Sequence, residues 1–171
     1  MPWNDTLMPI SKNYLAVERA VYECAYAGCE TIWIVCNKET TPLIRHRIGD
    51  WILDPTINPK VLSKVKFFSK HFKQIPIFYI PIHPKDRLTR NGIVASIFCG
   101  YKRAGSICKT FSTWATPSKM YVAFPHGVYS PSVLKPLRTM LSSKKSVYLM
   151  SPDGLTVKDG EYLGFSFDWR E

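Results

Sequence analysis

The stretch Pro81 to Arg90, PIHPKDRLTR, sets Asp86, Arg87 and Arg90 in a polar loop just past the end of a predicted strand. In an open α/β sheet, ligands bind outside the carboxyl ends of the strands, so two cations there suit a phosphate-bearing ligand. Asn91 follows and is suited to cap a helix over Ile93 to Ala104, with Gly92, Ala95 and Ser96 keeping its start small. A helix N-terminus beside Arg90 makes an anion site that includes the Gly92 backbone; the alternative is that Gly92 is only a turn residue. His126 lies in Pro125-His126-Gly127-Val128-Tyr129, after another predicted strand. It is metal-competent, although a lone His more often serves structure or hydrogen bonding.

A second basic stretch runs from Lys60 to Lys73. Lys60, Lys64, Lys66, Lys70 and Lys73 alternate with Phe67, Phe68 and Phe72. Interleaved cations and aromatic rings can neutralise and stack a single-stranded nucleic acid. The same pattern describes an amphipathic connection that sends its Phe side chains into the core, and that reading is preferred. Arg45, His46 and Arg47 read as a solvated helix face. The sequence has no phosphate-loop GxxxxGK[ST], no HExxH, no GxSxG and no DxD pair.

These residues need a scaffold, and the apolar pattern proposes one. Leu15, Val17, Ala20, Val21, Cys24 and Ala25 recur at helical spacing with Glu18, Arg19 and Glu23 between them, and Gly28 stands where an αL cap would end the helix. Ile32 to Cys36, Ile75 to Ile80 and Tyr121 to Phe124 are continuous apolar runs, as in parallel strands covered on both faces. Thr41 with Pro42 starts another helix that stops at Gly49, and Asp50 to Pro59 reads as loop. Ser130-Pro131 opens a helix that Pro136 kinks; Ser146 to Met150 and Tyr162 to Phe167 read as further strands. The alternation predicts a three-layer, Rossmann-like α/β sandwich with a mostly parallel sheet in one domain, residues 1–171. Those three runs are its central strands, with Trp33 and Ile34 buried.

The chain carries 23 Lys+Arg against 13 Asp+Glu, a net charge of +10, which suggests an anionic partner or a solubilising surface. At 46% hydrophobic and 21% charged residues the composition is that of a globular protein. No apolar run nears the roughly 20 residues that span a bilayer, and no signal peptide opens the chain, so a cytoplasmic setting, or host cytoplasm for a viral protein, is expected. Its five cysteines form no CxxC pair and suggest neither a zinc site nor a disulfide framework.

One stretch also resembles a known family. Leu7-Met8-Pro9-Ile10, the helix from near Leu15, Ala27-Gly28 and the strand Ile32-Trp33-Ile34-Val35 follow one another as the "LLPV" phrase, helix, "AAG" and strand do in sugar nucleotidyltransferases. These enzymes join an NTP to a sugar phosphate and release pyrophosphate. The resemblance implies a nucleotide-diphospho-sugar transferase fold with nucleotide and sugar phosphate as partners. It also implies Mg²⁺, for which Asp86 and Asp159 are the available carboxylates. It brings Lys12 to the phosphate site with Arg87, Arg90, Gly92 and His126. A glycine-rich loop precedes the phrase in that family and a metal-binding element follows later, so the resemblance implies a chain incomplete at both ends, a fragment or a shortened viral or metagenomic member. Two other readings stay open: a non-catalytic nucleotide- or nucleotide-sugar-binding relative, and a basic nucleic-acid-binding module.

Overall fold

A computed structural model supplies the architecture, and it describes residues 5–56, 73–83, 92–111, 117–143 and 145–168. After a 3-10 turn at Asp5–Leu7, β1 (Pro9–Ser11) and β2 (Tyr14–Leu15) form a small hairpin whose tip is Lys12-Asn13. Asn13 takes positive φ (57°), which Asn tolerates better than most residues. The hairpin leads directly into α1 (Ala16–Ala27). There Glu18 reaches back to accept the Leu15 N–H at 2.7 Å, the side-chain half of a capping box. At the other end Gly28 adopts the αL conformation (φ 97°). The N–H groups of Gly28 and Cys29 donate to the Ala25 and Cys24 carbonyls, closing the helix as its sequence predicts.

β3 (Ile32–Asn37) pairs in parallel with β5 (Gln74–Ile82), and β4 (Trp51–Leu53) pairs antiparallel with the other edge of β5. The order β3-β5-β4 makes β5 the central strand. Val21 and Ala25 of α1 pack with Ile32, Ile75 and Ile77 on one face of this sheet. Val17 packs with Cys36 and with Ile44 of α2 (Thr41–Ile48), so α1 begins at the carboxyl end of β3. On the other face runs α3 (Ile93–Phe111), in contact with both β3 and β5. A Cβ at Gly100 would lie 2.9 Å from a Val35 methyl, which is the close approach that selects glycine there. Gly105 does not end this helix. It lies inside it, so the helix runs past its predicted end at Ala104 to Phe111, an interior glycine costing only about 1 kcal/mol.

The second half builds a separate antiparallel sheet. β6 (Lys119–Val122) and β7 (Val147–Tyr148) flank β8 (Phe165–Asp168) in the order β6-β8-β7. A 3-10 segment (Pro131–Leu134) and the one-turn α4 (Arg138–Leu141) stand where one helix was expected, with Pro136 in the break. Leu134 and Leu141 close over Ala27 of α1. Among the described residues no helix is long and apolar enough to cross a membrane.

The three-layer sandwich with one mostly parallel sheet is therefore not the fold. Among the described residues, three separate sheets of two or three strands replace it, and only β3 and β5 run parallel. Of the run Tyr121–Phe124, Tyr121 and Val122 lie in β6, in a different sheet from the other two predicted central strands, and Ala123 and Phe124 lie past its end. Continuous apolar character reports cover on both faces; it does not report which strand lies alongside. The segment read as loop after Asp50 supplies β4, three residues that complete the first sheet. Trp33 and Ile34 are only half-buried, because β3 is an edge strand, and Ile32 and Cys36 are its buried residues. Trp33 stacks instead on Phe78 at 4.4 Å, and Phe78 is itself 40% exposed.

Asp54, buried just after β4, ties the two halves together. Arg138 donates to its carboxylate at 3.1 Å and to Thr56 at 3.0 Å, while Thr56 donates to Asp54 at 2.6 Å. Burial pushes the Asp54 carboxyl up, but the Arg138 and Thr56 hydrogen bonds outweigh it and hold it below its ordinary value. The folded protein thus binds this proton less readily than the unfolded chain, whose Asp titrates near ~3.9. The stabilisation is present above that pH and is lost as pH falls through the lower folded value. Asp54→Asn is expected to flatten the acid limb of stability against pH. Urea melts between neutral pH and about pH 2.5 check this; a variant as acid-sensitive as the parent would contradict it.

Candidate functional site

The carboxyl end of β5 opens beside α3 onto a cleft of about 670 Å³. The described residues lining it include Ile82, Ser96, Phe98, Cys99, Lys102 and Arg103. That volume lies within the range of about 300–1,000 Å³ that ligand pockets span. Lys102 holds its ammonium 4.5 Å from the centre of the half-exposed Phe98 ring, and Phe98 stacks on Tyr101. One wall of the cleft thus offers two cations and an aromatic face, the chemistry that receives phosphates and a planar base.

Gly92 stands at the mouth of this wall, immediately before α3. Its carbonyl accepts the Ser96 N–H at 3.2 Å, so it serves the first turn of the helix, and a Cβ at its position would meet nothing within 4 Å. Asp86, Arg87 and Arg90 fall outside the described residues, as does Lys60 to Phe72 of the basic stretch. Lys73, described, pairs with Glu30 at 3.1 Å.

The other predicted residues lie around the start of α1. Lys12 is exposed at the hairpin tip, next to Asn13, whose carbonyl accepts from Arg47; Arg47 also pairs with Glu18 at 3.0 Å. His126 is exposed in the turn after β6, its ring tilted at 36° against Tyr162 with centroids 4.8 Å apart. The loops bearing Lys12 and His126 reach the same end of α1, because Arg19 in its second turn hydrogen-bonds the Phe124 carbonyl. Asp159 spends its carboxylate on a cap: it accepts the Thr156 N–H at 2.9 Å and the Thr156 hydroxyl at 3.0 Å. Among the described residues no three His, Cys, Asp or Glu side chains come together as metal ligands. Asp159 is committed to its cap and Asp86 lies outside the described residues, so no step below runs through a metal.

What holds the His126 loop in place escaped the sequence reading. Arg19 and Glu23, expected as polar positions of an amphipathic helix, are 1% and 0% exposed. They pair at 2.8 Å, the Tyr121 hydroxyl donates to Glu23 at 2.6 Å, and the Arg19 guanidinium lies 4.5 Å from the centre of the Tyr129 ring. Burial, and then Glu23, push both tyrosine hydroxyls well above their ordinary range, so they stay protonated. The Arg19–Glu23 pair is shut off from solvent and acts by positioning. The sequence signal that could have found it is the i,i+4 Arg–Glu pair set among Ala16, Ala20 and Ala27, small residues that let a second surface approach α1.

Comparison with protein-family models returns no matching family, and comparison with curated proteins and with solved structures returns no significant match.

Proposed function

We propose that this chain binds a nucleotide in the manner of a nucleotidyltransferase-like protein, the nucleotide being an NTP destined for transfer to a sugar phosphate. The observation that carries the reading is the cleft at the carboxyl end of β5, lined by Lys102, Arg103 and Phe98. The parallel β3–β5 pair supports it, since ligands of α/β sheets gather at the carboxyl ends of such strands. The order of the Leu7–Ile10 phrase, α1, Gly28 and β3 supports the nucleotidyltransferase part. In this reading Lys102 and Arg103 neutralise the phosphates and Phe98 faces the base.

Calorimetric titration with each of the common NTPs in magnesium-containing buffer tests it. Lys102→Ala and Arg103→Ala should each weaken binding by about 1.5–3 kcal/mol, the range for hydrogen bonds to charged groups. Lys158→Ala should leave affinity unchanged, because Lys158 sits over Tyr148 on the second sheet. Equal losses in all three would mean diffuse charge, and a parent chain that binds no NTP removes the reading. Pyrophosphate release on adding a sugar phosphate separates an enzyme from a binding relative.

A further inference from the structure

The αL turn at Gly28 brings Cys24 and Cys29 together: the Cys29 N–H donates to the Cys24 carbonyl at 3.1 Å. A backbone bond between two residues keeps their Cα atoms within reach of the roughly 4.4–6.8 Å that a disulfide spans. Both side chains pack against the same apolar group of Val21, Ala25, Ile32, Ile75 and Ile77. Each is half-buried, so a small oxidant can approach. The neighbouring Cys29 side chain, and then burial, hold the Cys24 thiol well above its ordinary value. Cys36, by contrast, is buried and engaged with Thr41 at 3.1 Å.

We propose that Cys24 and Cys29 are a thiol modification site, closed to an intramolecular disulfide by low-molecular-weight disulfides such as oxidised glutathione. The Cys29 thiolate attacks one sulfur of oxidised glutathione and releases a glutathione thiolate. Cys24 then loses its proton to solvent and attacks the Cys29 sulfur, expelling the second glutathione thiolate. Two protein thiols are oxidised, and one glutathione disulfide is reduced to two thiols. The bond ties the last turn of α1 to the entrance of β3, at the place where Arg138 packs against Gly28. The site is independent of the nucleotide cleft and stands or falls without it.

The test incubates the folded chain in glutathione buffers of rising oxidised fraction, then alkylates free thiols and digests after glutamate. Cleavage after Glu23 and Glu30 releases Cys24–Glu30, which holds both cysteines and no other. The expected peptide is lighter by two hydrogens and takes up alkylating agent only after reduction, while the parent falls from five free thiols to three. In Cys24→Ala, Cys29 should accumulate as a glutathione adduct, because the resolving thiol is gone; Cys99→Ala should close as the parent does. A parent peptide alkylated at both cysteines across the whole series, or linked instead to Cys36, Cys99 or Cys108, overturns the proposal, and this readout needs no variant to fold.

Discussion

Arg19→Ala is expected to lower the stability of this protein by about 3–5 kcal/mol, the cost of breaking a buried pair by removing one partner. Arg19 donates to Glu23 at 2.8 Å and to the Phe124 carbonyl, with both charged side chains essentially without solvent contact. Truncation leaves the Glu23 carboxylate with the Tyr121 hydroxyl as its remaining described partner, in a place water does not reach. The space around the carboxylate is tight: a Cβ at Gly164 would collide with the Tyr121 hydroxyl and the Glu23 carboxylate. Replacing both partners, Arg19→Met with Glu23→Leu, should recover most of the loss, because an apolar pair needs no compensation for desolvation. Urea unfolding of the parent, the single variant and the double variant measures this. A single-variant loss under about 1 kcal/mol would mean that the pair is solvated.

The double variant has a second use. If the Arg19 guanidinium serves mainly to hold the Phe124 carbonyl, and through it the His126 turn, then the stability recovered by Met and Leu will not restore whatever that turn does. Stability and ligand affinity would then separate in the same protein, which a purely structural pair would not produce.

How much of this was legible in the residues depends on the range of the interaction. α1, its Gly28 cap, β3 and β5 could be read directly, because helical spacing, an αL glycine and β-branched runs are local signals. Strand pairing was not legible. β6 accepts β8, a strand more than forty residues later, and nothing in Lys119–Val122 marks its partner. β4 was lost because three residues before a proline-rich stretch carry too short a period to separate strand from loop. Arg19 and Glu23 were misassigned for a related reason. Charge on a helix usually faces water, and only the second sheet packed on the far side of α1 reverses that rule. For the candidate site, the structure puts Lys12 and His126 at exposed turn positions and Gly92 just before α3, whereas the cleft-lining Lys102 and Arg103 lie inside a helix whose cleft side no periodicity reveals.

The second large effect follows from the strand order. With β5 between β3 and β4, Ile75 is wholly buried, paired with Ile52 of β4 and packed in the cluster that Val21 and Ala25 of α1 form with Ile32 and Ile77. Ile75→Ala deletes three heavy atoms from a position with neighbours on every side, and the expected loss is about 2–5 kcal/mol, transfer and cavity terms together. Ile34, on the edge strand β3 and half-buried, should cost about 1–2 kcal/mol on the same change, since less area returns to water and the site opens toward solvent. The contrast discriminates between two sheets. A large parallel sheet centred on β3 makes Ile34 the more sensitive position, whereas the order β3-β5-β4 makes it Ile75. Denaturation midpoints of the two variants under one set of conditions decide, and a larger loss for Ile34→Ala would overturn the order β3-β5-β4 and put β3 back at the middle of its sheet.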